Sequence, residues 1–290
     1  LRHMGHDPEM IHEARKLLQG VLQMIPSHIF VLVSLHTLTI LTTSSLLYVP
    51  QQIHLLIEYL DDPRQKIRLL PLRDLRRIVE QSSHHVDPQN LPIEKFIHLL
   101  EDTMILSVKR EVLLLFRALT KIFGTSIFPN NELRSKFMEI CEMFLHETDS
   151  SVCLLSAEVF AMMTDESEAE LLHCVSSICL TIENVIQNRQ AKGNYELQKL
   201  AFVLASLVKE NLTAESTCVS RFTSLIHSCE LDSKVILVKA LNLILRNSRS
   251  PSKILESKLS LLITEFLPHP SHATQPNITV SIPSNMSKST

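Results

Sequence analysis

Glycine is nearly missing from this chain, with four in 290 residues, and tryptophan is missing altogether. So few glycines argue against a glycine-rich α/β nucleotide fold, whose phosphate loops need backbone without a Cβ, and the abundance of leucine and isoleucine favours a helical class. A C-x-x-C pair is also lacking. The six cysteines, Cys141, Cys153, Cys174, Cys179, Cys218 and Cys229, sit in apolar or mixed helical segments, so they read as reduced core thiols and not as a zinc knuckle or redox motif. Neither sign of charge dominates: the net charge is −3 and the pI about 6.6, which gives no global reason to expect nucleic-acid binding. One stretch, Ile29 to Val49, has no Asp, Glu, Lys or Arg and is long enough to span a bilayer. It is rich in Ser and Thr, carries His36 in its middle and meets Pro50 without a basic flank, so a pair of buried helices explains it better and no membrane is expected. The sequons at Asn211, Asn277 and Asn285 say nothing about secretion without a signal peptide.

What the chain does have is internal repetition. Turn residues followed by helical apolar spacing recur at Ser27, Asp62, Asp102, Asp149, Asn194 and Asp232, in steps of 35, 40, 47, 45 and 38 residues, within or near the HEAT and armadillo range. At each recurrence an Asp, Asn or Ser is placed to accept from the free N–H groups of the next helix. The apolar stripe then reads Val108, Val112, Leu115, Phe116, Leu119, Ile122, Phe123 after Asp102, and Leu197, Leu200, Ala201, Leu204, Leu207, Val208 after Asn194. After Asp232 it reads Val235, Val238, Leu241, Leu245. Burying six such side chains is worth on the order of 10 kcal/mol, against a few tenths for an i,i+4 ion pair. Face-to-face packing therefore sets the architecture. A single helical pair cannot bury both faces, so the pairs must stack. The fold predicted is all-α: a HEAT/armadillo-like α-solenoid, a right-handed superhelix of about six helical pairs over residues 1–267. The last helix runs from Pro251 to Leu267. From Pro268 to Thr290 the Pro/Ser/Thr-rich sequence reads as a disordered tail, dispensable for folding.

The most specific stretch is Ser34 to Val79. Three runs, HMGHDPEMIHEARKLL at His3 to Leu18, VSLHTLTILTTSSLLYVPQQIHLLIEYL at Val33 to Leu60 and DPRQKIRLLPLRDLRRI at Asp62 to Ile78, resemble subunit seven of the Integrator complex, the metazoan assembly that cleaves nascent transcripts. The likeness is close over the first third of the chain and a matter of pattern beyond it. Pro71 departs from the family by falling inside a helix, where a kink is expected. The resemblance implies a non-enzymatic nuclear scaffold, acting in small nuclear RNA 3′-end formation and in attenuating polymerase II transcription. Its implied partners are other Integrator subunits, with RNA polymerase II reached indirectly. In the family the solenoid continues well beyond this length, and the chain, starting at Leu1, reads as a fragment. Without the resemblance, a nuclear transport or phosphatase-scaffold adaptor fits the pattern as well.

No constellation calls for a cofactor or metal. His3, His6 and His12 are separated by a Gly5 and Pro8 loop, and no cysteine or paired carboxylate completes a ligand set. His84 and His85 lie in a connector. His36 reads as a packed histidine donating to a neighbouring turn, with no orienting acid recognisable nearby. Asp165, Glu166, Glu168 and Glu170 complement a helix N-terminus. The densest basic cluster, Arg64, Lys66, Arg68, Arg73, Arg76 and Arg77, places Lys66, Arg73, Arg76 and Arg77 on one side of a helix, opposite Ile67, Leu70, Leu75 and Ile78. That face is either an ordinary solvated one or a partner-binding surface made of Arg64, Lys66, Arg73, Arg76 and Arg77. For a partner, protein is favoured over RNA. The positive charge is confined to one helix, the turns beside it are acidic at Asp61, Asp62, Glu101, Asp102, Glu147 and Asp149, and no aromatic platform accompanies it.

Overall fold

The computed structural model describes residues 7–164, 167–187, 193–208 and 211–247. Among these residues every regular element is helical: α1 Pro8–Met24, α2 His28–Ser44, α3 Val49–Glu58, α4 Gln65–Ser82, α5 Ile93–Asp102, α6 Leu106–Phe123, α7 Asn131–Phe144, α8 Ser150–Met163, α9 Glu168–Gln187, α10 Gly193–Leu207, α11 Leu212–Ser228 and α12 Leu231–Asn247. Each odd-numbered helix packs on the even one after it. The even helices also pack on each other in unbroken series, α2 on α4, α4 on α6, and so on to α10 on α12. The result is six helical pairs in two layers, an α-solenoid, as the repeat spacing predicts. The expected helix Pro251 to Leu267 and the expected tail Pro268 to Thr290 lie outside the described residues.

Local chemistry explains where several helices begin. Asp7 accepts from the Glu9 N–H ahead of Pro8 at the start of α1, Asn130 accepts from Leu133 at 2.8 Å, Asp149 from Ser151 and Val152, and Asn211 from Ala214 at 2.9 Å. Of the six turn residues read as caps, Asp149 alone does that work in full. Asp62 accepts from the Arg64 N–H one residue before α4 begins, Asp102 ends α5 while the Thr103 hydroxyl accepts from Ile105, and Ser27 makes no side-chain cap. Asn194 and Asp232 fall inside the first turns of α10 and α12. Pro50, expected to end an apolar helix, sits in the first turn of α3, because α2 already ends at Ser44 and a 3-10 turn over Leu46–Tyr48 intervenes. The helix α4 runs continuously through Pro71, which is buried. After α6 the chain turns at Gly124, whose φ of 62° is open to glycine and strained for other residues.

The core lies between the layers and is aromatic at its middle. Phe116 of α6 stacks on Phe137 of α7 at 4.0 Å between ring centroids and meets Phe96 of α5 edge-on at 6.3 Å, with Phe128 packed beside both Phe116 and Phe137. The stripe expected on α6 is buried as far as Leu119, but Ile122 is 39% exposed. On α10, Leu197, Leu200, Ala201, Leu204 and Val208 are buried, with Leu207 only half so. On α12 the buried set is Leu237, Ala240, Leu241 and Ile244, so Val235, read as core, is exposed and the stripe is rotated from the one expected. The described residues contain one helix long and apolar enough to cross a membrane, α9, and its Cys174, Val175, Ile178, Cys179 and Ile182 are fully buried, with α10 and α11 packed against it.

Phe137→Ala, which opens a void beside Phe116, is expected to lower stability by about 3–5 kcal/mol in urea titration, whereas Met104→Ala, at a highly exposed side chain, is expected to change it by no more than about 0.5 kcal/mol. Comparable effects of the two would show that the aromatic cluster is not the packing centre.

Candidate interaction surface

The basic residues of α4 do not share one environment. Arg64 is held at the helix start: its Nε and Nη2 donate to Asp62 at 2.9 and 2.8 Å, and its Nη1 donates to the Pro26 carbonyl at 2.9 Å. This hydrogen bonding holds the Asp62 carboxyl below its ordinary range. Arg73 and Arg76 both turn toward α6. Arg73 Nε donates to Glu111 Oε1 at 2.8 Å, and Arg76 lies 3.6 Å from Glu80 and 3.9 Å from Glu111. Lys66 is exposed and Arg77 half-buried, and neither makes a hydrogen bond or ion pair with a described residue. The structure thus brings Arg73 and Arg76 together on an inter-repeat contact, sets Arg64 apart, and leaves Lys66, Arg68 and Arg77 without a hydrogen bond or ion pair to a described residue, although Arg77 is close enough to Asp74 to act on it electrostatically.

The Arg73 contact belongs to a series. His36 meets Asp74, Arg73 meets Glu111, Lys109 meets Glu147 and Arg221 meets Glu183, every pair 38 residues apart. Arg117 with Glu158, Arg134 with Glu170 and Lys136 with Glu101 span 41, 36 and 35. These separations equal the repeat length because counterpart positions in adjacent pairs lie side by side, within reach of two long side chains. Lys109, largely buried, also lies 4.6 Å over the Phe144 ring. Glu170, read only as a dipole complement, is therefore a bridge to α7, while Asp165 and Glu166 lie outside the described residues.

Charge is also divided between the layers. The six even helices carry thirteen Lys or Arg against six Asp or Glu, and the six odd helices carry six against thirteen. Nearly all of the positive surplus is on two neighbours: α4 and α6 hold nine basic side chains against Asp74, Glu80 and Glu111. The near-neutral total hides this separation.

A buried polar network, which sequence reasoning missed, ties the first two pairs together. Arg15 of α1, 3% exposed, donates to the Thr42 hydroxyl at 2.6 Å and to the Leu38 carbonyl, and its guanidinium lies 4.5 Å over Tyr48. Gln52 of α3 reaches both Arg15 and Thr39. His36 does have an orienting acid, Asp74 of α4 at 3.1 Å, and not the turn expected. Burial pushes the Asp74 carboxyl above its ordinary range, against the pull of His36, Thr39 and Arg77. His12 bonds the Tyr48 hydroxyl at 3.0 Å, and among the described residues no three His, Cys, Asp or Glu side chains converge as a metal site. The separation of 38 residues is the signal that could have found Asp74.

A family model described as Integrator complex subunit 7, N-terminal, matches residues 1–289. The chain is similar to Integrator complex subunit 7 of Homo sapiens, 41% identical over 92 residues, which is 31% of this chain and 10% of that protein. It is similar also to the Integrator complex subunit 7 homolog of Dictyostelium discoideum, 27% identical over 171 residues, or 57% of this chain and 16% of that one. The matched stretches thus span only a small part of these relatives. Among solved structures, an engineered protein aligns with a TM-score of 0.53 at 13% identity, over 81% of this chain and 98% of its own.

Two outcomes follow from the geometry. Arg73→Ala, which removes the hydrogen bond to the mostly buried Glu111 and leaves it only the longer contact with Arg76, is expected to cost about 1 kcal/mol, and Lys66→Ala less than about 0.5 kcal/mol, in chemical denaturation. Because the folded Asp74 carboxyl binds its proton more tightly than the unfolded one, its contribution to stability is fully present below the unfolded pKa of about 4 and is lost as pH rises through the folded value. The stability of the parent relative to Asp74→Asn should therefore fall as the pH is raised from about 4; a rise in that direction would contradict the assignment.

Proposed function

The chain belongs to the Integrator complex subunit 7 family, and from that membership we propose that it is a non-enzymatic scaffold segment of the Integrator complex, acting in the nucleus. The match over residues 1–289 carries this reading. It also favours Integrator over the transport or phosphatase adaptors that the same repeats would suit. In this reading the solenoid supports small nuclear RNA 3′-end processing and polymerase II attenuation by holding other Integrator subunits in place, and it meets the polymerase only through them.

The fold supports such a role physically. Helical pairs stacked side by side and joined by cross-repeat contacts present their side chains in rows, the kind of surface on which repeat proteins hold partners. Lys66 and Arg77 are the members of the α4 cluster that we assign to partner contact, through pairing with carboxylates that fixes the register of a docked subunit. Arg64, Arg73 and Arg76 act first within the chain, steadying α4 for that contact.

Affinity purification of the tagged chain from nuclear extract is expected to bring down other Integrator subunits, and Lys66→Glu with Arg77→Glu to reduce their yield while leaving the melting temperature within a few degrees. Retrieval of transport receptors or phosphatase subunits in place of Integrator subunits would replace this reading with the adaptor one.

A further inference from the structure

Helix α2 is the exception in the even layer. Its 17 residues hold no Asp, Glu, Lys or Arg, and a helix that is apolar on every side is ordinarily covered on every side. Yet Ile29 is 69% exposed, Val33 58% and Ile40 42%. Single exposed apolar residues are ordinary on a protein surface. These three, spaced by four and seven residues, lie within about 40° of one another around the helix and form one aliphatic ridge. His36 stands on the flank of the ridge nearer α4, while Phe30, about 100° round from Ile29 on the other flank, belongs to a different face.

The ridge has a counterpart on α4. Lys66, Leu70 and Arg77 repeat its spacing of four and seven, each 37 residues after its α2 equivalent, and the 3.1 Å contact of His36 with Asp74 holds the two helices side by side there. Lys66 is exposed, and Leu70 and Arg77 are half-buried. The carboxylates around this face are already engaged. Asp74 is 2% exposed and bound to His36, Glu111 of α6 takes Arg73, and Glu80, beyond Arg77 at the end of α4, lies 3.6 Å from Arg76. At the start of α4, Asp62 is held by Arg64 and Asp61 by Lys95 at 2.6 Å. No acid is left over for Lys66 and Arg77, so an occupant would meet an aliphatic ridge on one side and unanswered cations on the other.

Those two sides select the occupant. Phosphodiester gains nothing from an aliphatic ridge that offers no aromatic ring for stacking, and Lys66 and Arg77, about 16 Å apart along the axis, are too widely spaced to follow successive phosphates. A second copy related by a two-fold axis would bring the same face, which has no carboxylate to spare. A short amphipathic helix satisfies both sides at once. We propose that the face formed by α2 and α4 docks an acidic amphipathic helix of a partner protein, about three turns long, with its apolar stripe on Ile29, Val33 and Ile40 and carboxylates near its two ends set against Lys66 and Arg77. The proposal rests on the scaffold reading and adds to it the shape, charge and register of the segment held there.

The test places the photo-crosslinking residue p-benzoylphenylalanine at position 33 of the full chain, isolates the complexes that it enters in nuclei, and sequences what is crosslinked. A single partner segment is expected, with apolar residues at helical spacing and acidic residues about 11 positions apart. Synthesised as a labelled peptide, that segment should bind the unmodified chain at least about fivefold more tightly than the Ile29→Ala or the Lys66→Glu variant. A peptide with its acids replaced by lysine should reverse the second comparison and favour Lys66→Glu, which lost folding would not do. Ile29 and Lys66 are exposed, so circular dichroism melting curves of both variants should overlay the parent. Crosslinks to RNA, to lipid, to a second copy of the chain or to a basic segment, or equal peptide affinity for all three proteins, would overturn the proposal. Integrator subunits that co-purify without any crosslink from position 33 would overturn the docking face and leave the scaffold reading intact. Failure of the unmodified chain to co-purify with any Integrator subunit would overturn the scaffold reading and the docking face with it.

Discussion

A helical pair with apolar residues on both faces cannot satisfy itself, and the rest of this structure follows from that constraint. Phe116 shows how it is met. The ring lies wholly out of solvent because α5 approaches from one side with Phe96, α7 from another with Phe137, and the connector supplies Phe128. No pair could bury that side chain alone. The even helices solve the same problem by running as an unbroken series, which gives each of α4, α6, α8 and α10 a neighbour before and after as well as a partner across the layer.

Once apolar burial has placed the pairs side by side, polar chemistry sets their register. Arg73 reaching Glu111 and Lys109 reaching Glu147 tie each pair to the next at the repeat separation. Such partly exposed contacts are individually weak, typically about 0.2–1 kcal/mol, so their value is in selecting one alignment among the several that apolar faces would tolerate. The Arg15, Thr42, Gln52 and Thr39 network does the same inside the first two pairs, with the larger penalty that attaches to an unsatisfied buried group.

The helical class and the six pairs were legible in the sequence because both are periodic properties, and periodicity survives without knowledge of what lies opposite. Asp149 was legible as a cap since its partners, Ser151 and Val152, are local. What escaped depends on the third dimension. Ile122 and Leu207 have the spacing of core residues, and only the concavity between α6, α8 and α10 keeps them from being buried. Val235 was misread because α12 is rotated so that Leu237, Ala240, Leu241 and Ile244 face inward. Arg73 and Arg76 looked like a free basic face because Glu111 is far along the chain, although a search for opposite charges one repeat apart would have brought the pair forward. Asp74 was hidden from His36 for the same reason.

The division of charge between the layers has a consequence for how the molecule behaves near any charged interface. The pI of about 6.6 belongs to the whole chain, whereas among the described helices the even set has more than twice as many cations as anions and the odd set the reverse. At a Debye length of about 8 Å a nearby surface senses the side turned to it and little of the other. An anionic surface is therefore expected to favour the even set of described helices and a cationic one the odd set, so that orientation and not net charge would govern adsorption.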